Sequence, residues 1–199
     1  MPDQPNGDAI ALTHGAGANC QTKLLYEVAE ALALSGFTVL RVDLPFRLDR
    51  QQGPPRPGSA ERDREGLRRA ATVLKSRVRG RVFLAGHSYG GRQASMLLAQ
   101  HPEAADGLLL LSYPLHPPKK PTQLRIEHFP ELTRPALFVH GTRDPFASIG
   151  ELQSALKRIP ARHALLEVEG AGHDLLPKKS TSDTPARIAQ EFASFLAGH

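Results

Sequence analysis

Short apolar runs alternate along this chain with segments in which apolar residues recur at helical spacing. The apolar runs predict six strands, at residues 9–12, 37–42, 82–85, 107–111, 135–139 and 164–168. The other segments predict helices near residues 22–35, 59–78, 89–100, 149–158 and 185–196. Strands that are apolar at nearly every position, rather than at every second one, are typical of a parallel sheet covered by helices on both faces.

This pattern predicts an α/β fold, a three-layer α/β/α sandwich with about six mostly parallel strands. The 199 residues are enough for one domain with a sizeable core, so we expect a single domain over residues 1–199. Ligands of such sheets bind beyond the carboxyl ends of the strands, and functional residues are therefore expected in the loops that follow strands. Two of these loops are long, at residues 43–58 and 112–134, but neither has the amphipathic pattern of a developed lid.

The segment Gly86-His87-Ser88-Tyr89-Gly90 fits the pattern G-x-S-x-G at the point where a predicted strand is followed by a predicted helix. In that context the pattern forms a sharp turn, called a nucleophile elbow, which exposes the serine hydroxyl above the sheet. Glycines at both ends of the motif remove the side chains that would collide across the turn. The pentapeptide alone recurs by chance, so the flanking strand and helix are what make Ser88 a candidate nucleophile.

A serine nucleophile needs a base and a third group that orients the base. Asp144 and His173 both lie in loops that follow predicted strands, and the order Ser88, Asp144, His173 differs from those of chymotrypsin and subtilisin. Plainer interpretations exist, because Asp144 precedes a proline and would suit a turn, and His173 could be an exposed loop residue. Asp174 is a rival acid, although adjacent loop side chains seldom align as an orienting pair.

Acyl transfer also needs N–H donors for an oxyanion, commonly that of the residue after the nucleophile and one in the loop after an early strand. Tyr89 would supply the first donor. The small residues at 15–18 let the backbone approach a substrate, and Ala16 is our candidate for the second donor, with Gly17 as the alternative. A phosphate-binding loop is not favoured, because Lys and Ser/Thr do not follow at P-loop spacing. We expect His14 to hold this loop rather than to react.

Other chemistries have less support. The one cysteine, Cys20, excludes an internal disulfide and a cysteine-based zinc site. Its position near a helix start would lower the pKa of a nucleophilic thiol, but free cysteine is more often a small buried hydrophobe. No histidine–carboxylate grouping has metal spacing, so neither a metal nor a cofactor is predicted. With no secretory signal and no apolar run of membrane-spanning length, we expect a cytoplasmic protein without a membrane partner.

Basic residues are concentrated in one part of the chain. Of the 25 lysines and arginines, 13 lie at positions 41–92, together with only 5 of the 20 acidic residues. Much of the excess falls on the predicted helix at 59–78, where a solvated face is the plainer interpretation. Arg47 and Arg50 instead follow a strand, so we expect them to rim the site and bind an anionic acyl substrate. The net charge of +5 is a weak argument for nucleic acid, and no nucleic-acid partner is predicted.

Taken together, these segments resemble the α/β-hydrolase superfamily along nearly the whole chain. Within it the chain is similar to the small, lidless dienelactone-hydrolase-like group, but with a serine where true dienelactone hydrolases carry a cysteine nucleophile. The matching segments are Thr13–Gly17, Gly86–Gly90, Tyr113–Pro118, Phe138–Asp144 and Gly172-His173. The resemblance implies a catalytic triad of Ser88, His173 and Asp144, and ester or lactone substrates.

Two function hypotheses from different classes follow. The first is a serine hydrolase that cleaves a small ester-like substrate, a carboxylester, thioester or lactone, through an acyl-enzyme. The second is a noncatalytic scaffold that keeps the elbow for structural reasons and serves as a protein-interaction module. Some eukaryotic proteins that resemble this group act inside chromatin-associated complexes, which is the role that the second hypothesis implies. No oligomeric state is predicted.

Overall fold

The computed structural model describes Pro2, residues 4–176 and residues 183–198. The strands are β1 (Ala9–Thr13), β2 (Thr38–Val42), β3 (Val82–His87), β4 (Gly107–Leu111), β5 (Ala136–Gly141) and β6 (His163–Val168). The α-helices are α1 (Lys23–Leu34), α2 (Pro45–Asp49), α3 (Ser59–Lys75), α4 (Tyr89–Gln100), α5 (Ile149–Leu156) and α6 (Thr184–Ala197). No helix among these residues is long and apolar enough to cross a membrane.

The six strands form one sheet in the order β2-β1-β3-β4-β5-β6, and every neighbouring pair is parallel. This confirms the predicted strand number and direction. The strand ends differ from the prediction where they matter most, because β3 continues to His87 and β5 to Gly141. Ser88 is therefore the first residue after β3, and Asp144 lies three residues after the end of β5.

Both faces of the sheet are covered, as the continuously apolar strands predicted. Successive strand residues point to opposite faces. Ile10 and Leu12 pack in the core beneath α1 and α6, whereas Ala9 and Ala11 pack in the core beneath α3, α4 and α5. The result is the three-layer α/β/α sandwich expected from the sequence.

The order of the strands locates a crevice at one edge of the sheet. Strand β1 lies between β2 and β3, so the chain passes from β1 to one side and later returns to its other side. In open parallel sheets, ligands bind at such a switch point, outside the carboxyl ends of the strands. The loop after β1 and the turn after β3, which carries Ser88, meet there.

The two long loops differ from each other. Residues 43–58 contain α2, a five-residue helix with Pro45 in its first turn, which the sequence pattern had not indicated. Residues 112–134 are all described and hold only a single 3-10 turn at Phe129–Glu131, so they form no helical lid. The expectation of a lidless sheet edge is therefore confirmed.

Candidate active site

Ser88 occupies a strained backbone position between β3 and α4. Its φ is 51° and its ψ is −116°, a region that residues with a side chain rarely adopt. The turn closes tightly, because a Cβ on Gly86 would lie 2.4 Å from the Gly91 nitrogen and one on Gly91 would lie 2.6 Å from the Gly86 oxygen. Gly86 of the motif and Gly91 just after it are thus required by the close crossing of strand and helix, and the turn places Ser88 at the crevice.

The structure brings Ser88, His173 and Asp144 into one hydrogen-bonded chain, although they come from three separate loops. The Ser88 hydroxyl lies 2.9 Å from Nε2 of His173, and Nδ1 of His173 lies 2.8 Å from Oδ2 of Asp144. In this arrangement Nδ1–H donates to the carboxylate, and Nε2 is free to accept the serine proton. The three residues therefore have the geometry of a nucleophile, a base and an orienting acid.

Asp144 is fully buried at its side chain and remains ionised there. Burial acts to raise the pKa of its carboxyl, but hydrogen bonds from His173 and from the Phe146 N–H outweigh it and leave the pKa below the usual value. The hydrogen bond from the Phe146 N–H shows that the Asp144 carboxylate also stabilises its own turn. Asp174, the rival acid, instead accepts from the Leu176 N–H.

Two rings hold the His173 imidazole, which is about a quarter exposed. The Phe146 ring stacks on it with centroids 4.2 Å apart and planes at 32°. The His87 ring lies with its centroid 5.0 Å from that of His173, and its Nε2 donates a 2.7 Å hydrogen bond to the His173 backbone carbonyl. Burial lowers the pKa of His87 to about 4, so this support is a neutral imidazole. His87 lies inside the serine motif and was available to sequence analysis, whereas no sequence signal indicates that Phe146 stacks on the base.

A further histidine supports the acid from within β5. The fully buried His140 donates from Nε2 to the Ala147 carbonyl at 3.0 Å, and the same nitrogen lies 3.8 Å from Oδ2 of Asp144. Burial lowers the pKa of His140, which keeps it neutral. Its Nε2–H therefore closes the turn after β5 and presents a positive dipole to the carboxylate.

Backbone N–H groups suited to an oxyanion flank Ser88. Tyr89 is the first residue of α4, so its N–H has no partner within the helix. The Ala16 N–H has no acceptor among the described residues. The loop that carries it passes directly beside the nucleophile, since a Cβ on Gly15 would lie 3.4 Å from Cβ of Ser88. Both predicted donors therefore border the same crevice.

His14 fixes the orientation of the Ala16 N–H. The Gly15 carbonyl accepts from Nδ1 of His14 at 2.8 Å and from the Ala18 N–H at 3.2 Å. In a trans peptide the next N–H points the opposite way, so anchoring this carbonyl aims the Ala16 N–H. Nε2 of His14 accepts from the Leu44 N–H at 3.1 Å, and burial lowers the pKa of the ring. A neutral His14 thus holds the loop, as the sequence suggested.

The start of α4 is anchored by a buried carboxylate that sequence analysis did not identify. Asp63 of α3 accepts from the Tyr89 hydroxyl at 2.7 Å and from the Phe46 N–H at 3.0 Å. Burial and these contacts raise the pKa of the Tyr89 phenol, so the hydroxyl stays protonated as a donor. Asp63 thereby ties the first turn of α4 to α2 and α3.

The interpretation of Arg47 as a substrate-binding residue at the rim needs correction. Its side chain is buried at 6% exposure, and its guanidinium donates to four backbone carbonyls at 2.7–3.0 Å. The acceptors are the carbonyls of Ala16, Ala18, Arg50 and Gly53. Because α2 turns the side chain inward, Arg47 joins the candidate oxyanion loop, residues 14–19, to the loop after α2 instead of extending into solvent at the rim.

Two other sequence-based expectations have different outcomes. Arg50 is exposed, and its proposed contact with substrate stays a prediction. For Cys20 the pKa direction is reversed, because partial burial and the neighbouring Asp43 carboxylate raise the thiol pKa. Cys20 is therefore a poorer nucleophile than a position near a helix start would suggest. Within the described ranges, no group of three or more His, Cys, Asp or Glu residues could hold a metal ion.

Comparison with known proteins agrees with the fold. Est1E from Butyrivibrio proteoclasticus, solved with ferulic acid bound, matches with a TM-score of 0.78 at 16% identity, covering 98% of this chain and 94% of that one. A dienelactone hydrolase from Anabaena variabilis matches with a TM-score of 0.74 at 21% identity, covering 98% and 89%. A Paleococcus ferrophilus monoacylglycerol lipase gives a TM-score of 0.77 at 16% identity, covering 98% and 97%.

The family assignment rests on sequence as well as on shape. A family model described as an alpha/beta hydrolase domain matches residues 6–199. The matched region contains the serine elbow, the acid turn after β5 and the histidine loop after β6. The resemblance inferred from the motifs is thereby confirmed, and the chain belongs to the alpha/beta hydrolase family.

Proposed function

We propose that this protein is a serine hydrolase that cleaves a small ester-like substrate through an acyl-enzyme. The observation that carries the proposal is the continuous chain from Ser88 through His173 to Asp144, with both hydrogen bonds at 2.8–2.9 Å. Solved structures of similar fold include proteins named dienelactone hydrolase and monoacylglycerol lipase, which is consistent with ester-type chemistry.

In the proposed mechanism, the first half-reaction forms a covalent intermediate. His173 takes the Ser88 proton at Nε2 while Oγ bonds to the substrate carbonyl carbon, and the carbonyl electron pair moves onto its oxygen. The N–H groups of Ala16 and Tyr89 bind that oxyanion. When the carbonyl reforms, the bond to the leaving oxygen or sulfur breaks, and the imidazolium of His173 returns the proton to the leaving group.

The second half-reaction repeats the same steps with water. His173 removes a proton from water as the water oxygen bonds to the acyl carbon, and the oxyanion again lies between the two N–H groups. Collapse breaks the bond to Ser88 Oγ, which recovers its proton from His173, and the acid product leaves. The ionised Asp144 stabilises the imidazolium that forms in each half-reaction.

The alternative of a noncatalytic scaffold is less well supported. A binding module needs neither an aligned acid and base nor two aimed N–H groups beside a strained serine. Backbone strain of this kind persists in proteins mainly at functional sites. The residues that maintain the arrangement, among them His14, Arg47 and His87, also have no evident purpose in a scaffold.

Ester turnover in a Ser88→Ala variant tests the proposal. We expect wild-type protein to hydrolyse a short p-nitrophenyl ester and the variant to lose about 10⁴-fold or more in kcat, because the triad acts as a unit. Ser112→Ala is a matched control, since Ser112 also follows a strand and has a positive φ but lies outside the triad. Equal turnover by wild type and Ser88→Ala would refute the mechanism.

A further inference from the structure

The loop after β4 packs against the helix that carries the nucleophile elbow. Ser95 of α4 lies 2.8 Å from Nε2 of His128, and the buried Tyr113 hydroxyl donates to the Arg125 carbonyl at 2.6 Å. These contacts hold Arg125 and His128 next to the first two turns of α4. Arg92 lies in the same stretch of α4, and its charge is close enough to Arg125 to lower the pKa of that guanidinium.

Arg92 has a buried donor without a protein partner. It lies one turn after the nucleophile, and its backbone N–H donates to the Ser88 carbonyl at 3.0 Å. Its side-chain Nε is buried and has no hydrogen-bond acceptor among the described residues. Leaving a buried charged donor unsatisfied is costly, so the Arg92 Nε–H requires a partner from outside the protein, a water, an ion or a ligand. In the described part of the chain, no carboxylate lies within 4 Å of the Arg92 guanidinium.

Among the neighbouring groups, Arg125 adds a second positive charge, while the Glu127 carboxylate acts on the pKa of His128 but forms no ion pair with either arginine. Burial and the nearby charge of Arg92 both lower the pKa of Arg125, which remains a cation at neutral pH. Burial and Arg92 also lower the pKa of His128 to about 4, so His128 is neutral. Arg125 likewise has no carboxylate within 4 Å among the described residues. Two adjacent cations without a paired anion raise the local affinity for an anionic ligand.

We propose that Arg92 and Arg125 form an anion-binding subsite beside Ser88, which holds a carboxylate or phosphate group carried by the ester substrate. The guanidinium fork matches the oxygens of both groups, and a planar donor pair gives direction as well as charge. This inference rests on the proposed function and specifies its substrate class. It also transfers the anionic-substrate hypothesis from Arg47, which is occupied by carbonyls, to arginines that have donors to offer.

The test compares two esters that differ only in the charge at one end. p-Nitrophenyl hexanoate and mono-p-nitrophenyl adipate both have a six-carbon acyl chain, and the adipate ends in a carboxylate. The readout is the ratio of their kcat/KM values, adipate over hexanoate. A third ester, of 5-phosphonopentanoic acid, distinguishes a phosphate-type group from a carboxylate, and preference for either charged ester over hexanoate supports the subsite.

We expect wild-type protein to have a ratio well above one. Arg92→Gln and Arg125→Gln should each lower it by about tenfold or more, the factor that one charged hydrogen bond supplies. Arg56→Gln is the matched control, because it removes the same charge from an exposed loop position and should leave the ratio within about twofold. Arg92→Lys, which keeps the charge and the side-chain stem, should give an intermediate ratio and guards against loss through misfolding.

Equilibrium binding separates this proposal from the proposed catalysis. Adipate and 5-phosphonopentanoate themselves should bind to Ser88→Ala protein in calorimetry, and adding Arg92→Gln should weaken that binding by about tenfold. Wild-type protein that cleaves none of the esters would refute the proposed function. In that case, the binding of adipate and 5-phosphonopentanoate would still show whether the anion-binding subsite exists. A kcat/KM at or below that of the hexanoate ester for both charged esters, or diacid binding that is absent or unchanged by Arg92→Gln, would overturn the subsite.

Discussion

At the scale of single residues, three loops deliver side chains whose polar atoms lie within hydrogen-bond distance. The critical residue is Asp144, because it decides which nitrogen of His173 carries the proton. With the carboxylate accepting from Nδ1–H, the lone pair of Nε2 faces Ser88. Replacing one carboxylate oxygen by an amide NH₂ would favour the opposite tautomer.

We therefore expect Asp144→Asn to lower kcat by about 10³- to 10⁴-fold with little change in fold. Asp174→Asn is the matched control, since Asp174 is adjacent to the same histidine but, among the described residues, accepts only from the Leu176 N–H. Its kcat should stay within about twofold of wild type. Steady-state kinetics with a p-nitrophenyl ester measure both variants. A larger loss of kcat in Asp174→Asn than in Asp144→Asn would show that Asp174, and not Asp144, is the acid.

Sequence analysis located residues correctly where a motif fixes the backbone, and it was wrong where tertiary contacts set the direction of a side chain. Ser88 and its glycines follow from the backbone of one tight turn, which the local sequence determines. Arg47 was placed near the correct edge of the sheet, but α2 turns its guanidinium inward to carbonyls that are distant in sequence. Only tertiary structure could reveal that contact.

At the scale of elements, Arg47 and α2 act as a clamp on the oxyanion loop. Nη2 of Arg47 donates to the Ala16 carbonyl at 3.0 Å, and Nε donates to the Ala18 carbonyl at 2.7 Å. Holding these carbonyls fixes the peptide planes of the loop, and hence the directions of its N–H groups. The clamp spans about 30 residues of sequence and joins the loop after β1 to the loop after α2.

We expect Arg47→Lys to lower kcat by about 10²-fold while KM changes by less than about threefold. Lysine keeps the charge but cannot serve four carbonyls, and a displaced oxyanion donor weakens binding of the transition state more than that of the substrate. Arg56→Lys is the matched control, because it makes the same exchange at an exposed position of the same loop, and it should leave both constants unchanged. A purely structural role predicts a lower melting temperature with normal kcat at 25 °C, and that outcome would refute the clamp's part in catalysis.

The regular elements were predictable because each carries a strong local signal. All six strands are short apolar runs, and α4 was predicted with its observed bounds from helical spacing after the elbow. Helix α2 has only five residues, which is too short to show a period, and its position in a segment rich in proline and arginine suggested a loop. Because the sequence did not indicate α2, it also could not indicate that α2 turns Arg47 inward.

At the scale of the whole molecule, four histidines are kept neutral inside the fold. Burial lowers the pKa values of His14, His87, His128 and His140, to about 4 for His87 and His128. In the unfolded chain these rings would titrate near 6.5. Between pH 6.5 and about 4 the unfolded chain therefore binds more protons than the folded protein, and stability falls as the pH falls.

We predict that the free energy of unfolding decreases steeply from pH 7 to pH 5, with each such histidine adding up to about 1.4 kcal/mol per pH unit. Urea unfolding at several pH values measures the slope. His128→Gln should give a shallower slope, because it removes one of the four titrating rings. A free energy of unfolding that stays flat between pH 7 and pH 5 would contradict this.

Because one sheet links β1 to β6, we also expect the urea unfolding curve to show a single transition.

The charge of the whole molecule divides into two parts with different roles. The basic excess predicted for residues 59–78 lies on α3, where Arg62, Arg68 and Arg69 form exposed ion pairs with Asp49 and Glu65. That part is a solvated face, as the plainer interpretation held. Arg92 and Arg125 form no ion pair with a carboxylate among the described residues. Composition could not show this difference, because pairing depends on the packed loops.

The central claim is that Ser88 is the nucleophile, and covalent trapping tests it most directly. Wild-type protein is treated with a fluorophosphonate, and the adduct is located by peptide mass spectrometry. We predict one adduct per chain on the peptide that contains Ser88, and no adduct in Ser88→Ala protein. Absence of labelling in folded wild-type protein, or equal labelling of the Ser88→Ala variant, would contradict the account.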